Sequence, residues 1–216
     1  MSINHKFYIS LEKAVDRQKK FIDKDFIMWK AVEGSSLDYE CESCRRMISY
    51  YNIRKTPQHL NKTACLLSHL SLLKYIGDNK LNNVLIVEDD AIQVNDYPES
   101  FPQDCLTYLG GFMSNKKITD NTIIEIDHKE GINNLNLSKY RIMMTLAYYI
   151  PSWEIARDIF DNIMKLKRWR AADVIIPSVV DKVSYQYPGC FIEEDVPSQI
   201  CNKKIHKHPN EFYEWV

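Results

Sequence analysis

Three consecutive carboxylates, Glu88, Asp89 and Asp90, follow directly on the aliphatic run Val84-Leu85-Ile86-Val87. Acids held that close repel one another and lose hydration, and a chain tolerates them most easily where a cation offsets the charge. The run before them is apolar throughout and β-branched at three of four positions, the pattern of a strand buried on both faces. Such a strand delivers its last side chains to one edge of a sheet, where open α/β sheets bind ligands. Divalent metal binding is the chemistry expected, against the plain alternative of a solvated acidic turn.

The cysteines point elsewhere. Cys41, Cys44, Cys65, Cys105, Cys190 and Cys201 stand in a chain whose start, "MSINHKFYIS", has no signal-peptide core, so free thiols and a cytosolic setting are expected. Cys41-x-x-Cys44 lacks a second ligand pair at zinc-finger spacing and reads as the start of a helix.

The elements that must position the acids can be read around them. "KFYISL" is a strand running into the charged, helix-like "EKAVDRQKKF", and "DFIMWKAVEG" is a second strand ended by Gly34-Ser35-Ser36. A helical pattern spans Cys41 to Tyr51, and Pro57 interrupts it. "TACLLSHLSLLKYIG" is an amphipathic helix with Leu66, Leu67, Leu70, Leu73 and Ile76 on one stripe, Thr63 as N-cap and Gly77 as stop. The acidic strand follows. "CLTYLGG", "NTIIEID" and "RIMMTLAYYI" read as strands, and "PSWEIARDIFDNIMKLKRW" as a helix with Ser152 at its N-cap and Ile155, Ile159, Ile163 and Leu166 on one face. "AADVIIPSVV" is ambiguous, "YPGCFIEED" is a last strand, and a basic tail closes the chain. Early strand–helix alternation predicts an α/β fold with a parallel sheet flanked by helices; the later half is less regular.

With 216 residues, 45% hydrophobic and 26% charged, the chain can bury one sizeable core. A formal net charge of −1 gives no reason to expect nucleic acid, and the local basic clusters suit a small polyanion such as a diphosphate. No apolar run approaches the roughly 20 residues of a membrane span.

Taken alone, "VLIVEDDA" is similar to the first strand of a response-regulator receiver, whose acids hold magnesium beside a phosphoacceptor aspartate. That alternative would use Asp127, Thr145 and Lys165 or Lys167. Yet some eighty residues precede the strand, neither lysine is followed by proline, and the Asp127-to-Thr145 interval is short. Read in order, "FYISLEKAVDRQKKF", "WKAVEG", "ACLLSHLSLLK", "VLIVEDDA", "LTYLGG", "LAYYIP", "AADVIIP" and "YPGCFIEEDVPSQI" resemble glycosyltransferase family 25, the lipooligosaccharide and collagen galactosyltransferases. Ser68-His69 followed by Glu88-Asp89-Asp90 carries most of the specificity. Ala64 stands where the family usually has glycine before the cysteine, and the chain is shorter than a typical member.

The resemblance implies a single GT-A-like, Rossmann-related domain over 1–216, with a mixed, mainly parallel central sheet. It divides into a donor-nucleotide half at about 1–95, an acceptor half at about 96–200 and a basic tail at 201–216. It implies a metal-dependent, inverting transfer from a nucleotide-sugar donor, a UDP-sugar, to a glycan acceptor on lipopolysaccharide or glycoprotein. Association with a membrane would be peripheral, through the acceptor; the setting would be cytoplasmic, or host cytosol for a viral source. An inactive glycan-binding relative is a further alternative.

Under this reading Asp90 is the inner metal ligand, and Glu88 contacts the metal, its water or the donor ribose. Ser10, Leu11, Val32, Glu33 and Gly34 end the two early strands, where a nucleotide base would sit; Gly34 also reads as a turn glycine with positive φ. Arg17 would meet the diphosphate or serve as a surface helix charge. His69 is a core histidine or supports the metal or donor from behind, and Asp89 lines the donor site. His206 and His208 are tail residues or late metal ligands. Asp173, matching a late Pro-Val-Asp-like element, is the expected base, held ionised by backbone N–H groups; Asp195 is the other candidate.

Overall fold

The structure, a computed structural model, describes residues 2–47, 56–115 and 129–194, together with the backbone of Glu214–Trp215. Its elements run β1 (His5–Ser10), α1 (Val15–Gln18), β2 (Ile27–Lys30), α2 (Glu42–Arg46), α3 (Pro57–Asp78), β3 (Val84–Glu88), β4 (Ala91–Gln93), β5 (Leu106–Asn115), β6 (Gly131–Asn134), β7 (Tyr140–Ile150), α4 (Trp153–Lys165), α5 (Ala172–Ile175), β8 (Val183–Tyr187), β9 (Phe191–Glu193) and β10 (Glu214–Trp215).

The strands join one mixed sheet in the order β2-β1-β3-β7-β5-β8-β6, with β9 and β10 also on β5 and β4 on β9. Strands β2, β1 and β3 are parallel, so their carboxyl ends share one edge. β7 then runs antiparallel to β3, pairing Val87 with Ala147. The result is the α/β, Rossmann-like arrangement expected, with helices against a sheet whose later half is mixed. The acidic strand is third in the chain and has an antiparallel neighbour, unlike the opening strand of a receiver.

β3 is buried at Val84, Leu85, Ile86 and Val87, as an apolar run without alternation requires. Its side chains still alternate between two cores. Val84 and Ile86 join the cluster beneath α3, α4 and α5, which includes Leu66, Leu73 and Ile159. Leu85 and Val87 join the opposite cluster with Tyr8, Phe21 and Tyr149.

α3 begins seven residues before the expected Thr63, with Thr56 as N-cap accepting from His59 N and Pro57 in the first turn. A proline there has the right φ and lacks only an N–H that would be unpaired anyway, so it starts the helix rather than interrupting one. Thr63 is interior, and its hydroxyl donates to His59 O at 2.9 Å. Gly77 is interior as well: α3 continues to Asp78, and a Cβ on Gly77 would come within 3.2 Å of Arg157 Cβ on α4. That glycine permits close helix approach rather than ending the helix. Leu66, Leu70, Leu72, Leu73 and Ile76 are all buried, because α3 is covered by the sheet and by α4.

Gly34 does not have positive φ. It opens a short 3₁₀ turn, Gly34–Ser36, and a Cβ there would lie 2.1 Å from Asn61 Oδ1 and 3.0 Å from the Asn61 backbone. Close approach of the turn to α3 is the reason for glycine. The expected helix after the first strand shrinks to α1 and a 3₁₀ turn, the Cys41–Tyr51 helix to α2 among the described residues, and the last strand, "YPGCFIEED", to β9, with Tyr187 ending β8, a strand not expected from the sequence. β6 has no strong sequence signal. "NTIIEID", Asp127, Asp195, His206 and His208 lie outside the described residues.

Candidate active site

Alternation along β3 separates the three acids. Glu88 continues the Val84–Ile86 side toward α3, and Asp89 turns to the face carrying Leu85 and Val87. Ser10, at the end of β1, points the same way as Tyr8, and its hydroxyl donates to Asp89 Oδ2 at 2.8 Å. Arg17 Nη1 donates to Asp89 Oδ1 at 2.9 Å and lies 3.6 Å from Asp90 Oδ2. Arg17 is thus an internal counter-ion to the triplet, a role that sequence reading did not foresee. Leu11 contributes its carbonyl, which accepts from Gln18 Nε2 at 2.9 Å and ties α1 to the strand end.

Glu88 is held from two sides. His69 Nε2 lies 3.3 Å from its Oε1, and Thr145 Oγ1 donates to the same oxygen from β7. His69 Nδ1 pairs with Tyr148 OH at 2.8 Å. Burial pushes the Glu88 pKa up, but the His69 and Thr145 hydrogen bonds, His69's charge when protonated and the Arg17 charge outweigh it and hold Glu88 below the usual range.

Asp90 has the opposite environment. Its Oδ1 is buried with no hydrogen-bond partner among the described residues. Burial first, then the negative charges of Glu88, Asp89 and Glu193, push its pKa up to about 8 against the pull of Arg17. Glu193, opposite Ala91 in the β4–β9 ladder, is raised to about 7 by burial and by Glu88. An orphaned carboxylate oxygen amid three further acids fits a hard divalent ion, which would supply the missing partner and offset the repulsion. Glu193 was not picked out in the sequence; only its place two residues before Asp195 in the "EED" run marks it.

Asp173 is the second residue of α5, and Ala171 rather than an acid occupies the cap position. Met144 N donates to its Oδ2 at 3.3 Å. Met144 is in the left-handed region, at φ 73°, opposite the irregular pairing at Gly110 and Gly111 where β5 and β7 slip register. A non-glycine residue held there costs on the order of 1–3 kcal/mol, and here it turns an N–H out of the ladder toward Asp173. The Oδ1 of Asp173 has no partner among the described residues, and neither does the buried hydroxyl of Tyr108. Burial is the largest influence on Asp173 and raises its pKa, overcoming the Met144 hydrogen bond. The backbone contact expected to hold it ionised is present but outweighed. A raised pKa makes the carboxylate a stronger base.

Val32 reaches the site only through its backbone, donating to Ser68 Oγ at 2.8 Å. Glu33 pairs with Lys13 at the surface. Ser10, Arg17, His69, Glu88, Asp89 and Asp90 therefore converge, Asp173 lies near enough to Glu88 to feel its charge, and Val32 and Gly34 instead meet α3 at Ser68 and Asn61. Among the described residues no helix is long and apolar enough to cross a membrane.

A search of curated proteins found no match to the chain. Residues 3–176 match the sequence profile of the family described as glycosyltransferase family 25 (LPS biosynthesis protein), a span that contains β1 through α5 and every converging acid from Glu88 to Asp173. The chain belongs to glycosyltransferase family 25.

Proposed function

We propose that this glycosyltransferase has a GT-A-like donor site and moves a sugar from a UDP-sugar to a glycan acceptor, on lipopolysaccharide or glycoprotein, by direct displacement with inversion. The observation that carries the reading is Asp90, a half-buried carboxylate whose buried Oδ1 has no partner among the described residues, at the shared carboxyl edge of β1 and β3. Asp90 and Glu88 would hold Mn²⁺ or Mg²⁺, with His206 or His208 as a further ligand. Bound there, the ion would offset the charge that collects on a departing diphosphate.

The chain's own residues divide the remaining work. Ser10 and Arg17 fix Asp89 from the β1 side, and His69 and Thr145 fix Glu88 from the α3 and β7 sides. Preorganised acids need no reorganisation when the ligand arrives. Asp173 Oδ1 takes the proton of the acceptor hydroxyl as the new bond to the anomeric carbon forms, and Tyr108 OH orients that hydroxyl. Glu88 and Asp90 face the leaving-group side and are committed there.

Thermal shift with UDP, GDP and CMP, each with and without Mn²⁺, tests the donor assignment. A ligand at a hundredfold excess over its Kd stabilises by about 2.7 kcal/mol. UDP with Mn²⁺ should give the largest shift. Equal shifts for all three nucleotides, or none, would remove the UDP assignment.

A further inference from the structure

Cys65 and His69 are four residues apart on α3 and so share one face of the helix. That face looks at Glu88. Cys65 Sγ, a ring nitrogen of His69 and a carboxylate oxygen of Glu88 all lie within 4.8 Å of one another. We propose that these three side chains form a second metal site, selective for a borderline ion such as Zn²⁺ over Mg²⁺ or Mn²⁺, which adjoins the Asp90 site and shares Glu88 with it.

The geometry is close to what the ion requires. Tetrahedral bonds of roughly 2.0–2.3 Å place ligand atoms roughly 3.3–3.7 Å apart. His69 Nε2 and Glu88 Oε1 are already at 3.3 Å, and Cys65 Sγ, within 4.8 Å of the other two ligand atoms, would move inward on binding. Both fixed ligands carry the outer hydrogen bonds that metal ligands usually have: Tyr148 OH engages His69 Nδ1, and Thr145 Oγ1 donates to Glu88. A thiolate with an imidazole selects a softer ion than an all-oxygen set does. Three protein ligands leave a fourth position, open on the side where Glu88 is 23% exposed. Burial first, and then the charges of Glu88, Asp173 and Asp90, push the Cys65 thiol pKa well up, so binding of a dication there would release the thiol proton and offset the acids' charge.

The site does not depend on UDP, which plays no part in its test. Co²⁺ is titrated into the metal-free full-length chain and followed by its sulfur-to-cobalt charge-transfer absorption, with Zn²⁺ as competitor. One tightly bound Co²⁺ with a thiolate band, displaced by Zn²⁺, is expected. Cys65→Ser should abolish the band, while Cys41→Ser, which splits the CxxC pair, should keep it. Tyr148→Phe should keep the band and weaken binding roughly 10–100-fold. A wild-type chain without the band, or a band that survives Cys65→Ser, overturns the proposal. Should Cys65→Ser fail to fold, alkylation of the wild-type chain decides: Zn²⁺ must protect Cys65 in preference to Cys41, and equal protection overturns the site.

Discussion

Arg17 donates a 2.9 Å hydrogen bond to Asp89, in an ion pair whose side chains are only 13% and 8% exposed. The same guanidinium reaches toward Asp90 at 3.6 Å. It is the internal cation that lets the acidic triplet exist before any ligand binds. Removing one partner of a shielded pair leaves an uncompensated charge, at about 3 kcal/mol. Arg17→Met should therefore destabilise the ligand-free chain by about that amount in urea at pH 7.5. Saturating Mn²⁺ should return part of the loss, and no recovery would mean that the triplet does not bind the ion.

Asp90 gives stability a pH dependence of definite sign. Its folded pKa, about 8, lies above the ordinary value of 3.8, so the folded state binds the proton more tightly than the unfolded state does. That contribution is full below about pH 4 and is lost as pH rises through 8. Glu193, raised to about 7, acts in the same direction. Asp90→Asn should flatten the decline and be more stable than wild type at pH 8 without metal, by up to about 5 kcal/mol, measured by melts from pH 5 to 8.5.

Asp173→Asn keeps the shape of the side chain and removes the proton acceptor. Turnover should fall by roughly 10²–10⁴-fold, with UDP–Mn²⁺ affinity within a few fold of wild type. Because burial raises the Asp173 pKa, the acid limb of the wild-type rate profile should lie above the ordinary carboxylate range. Transfer at near wild-type rate would exclude Asp173, and Asp195 would be tested next.

Gly34→Ala tests the packing of the Gly34–Ser36 turn against α3. The added Cβ would meet Asn61 Oδ1 at 2.1 Å and its backbone at 3.0 Å, and backbone cannot swing aside. A loss of about 1–3 kcal/mol is expected from overpacking, read as a lower urea midpoint at unchanged slope. An unchanged midpoint would mean that the turn has room to move.

Much of this site is visible in the sequence because strands and helices write their periods into it. Val84–Val87 announces a doubly buried strand, and its end fixes where Glu88, Asp89 and Asp90 emerge. Ser68-His69 beside a leucine-rich pattern puts His69 on a buried helix face. Long-range partners leave no such trace. Nothing local shows that Thr145 on β7 reaches Glu88, that Arg17 folds back on Asp89, or that Met144 adopts positive φ to meet Asp173. Glycines mislead for the same reason: Gly34 and Gly77 look like turn and stop signals, yet each is small because another element presses against it.

Isothermal titration of UDP into wild type and Asp90→Ala, each with and without Mn²⁺, bears most directly on the role of the acidic triplet. The wild-type chain should bind UDP markedly more tightly with Mn²⁺ than without it. In Asp90→Ala that difference should vanish, while the mutant still melts cooperatively, since removing one of the crowded acids relieves repulsion. Unchanged Mn²⁺-dependent UDP affinity in a folded Asp90→Ala chain would contradict the assignment of the metal and donor site to Glu88-Asp89-Asp90.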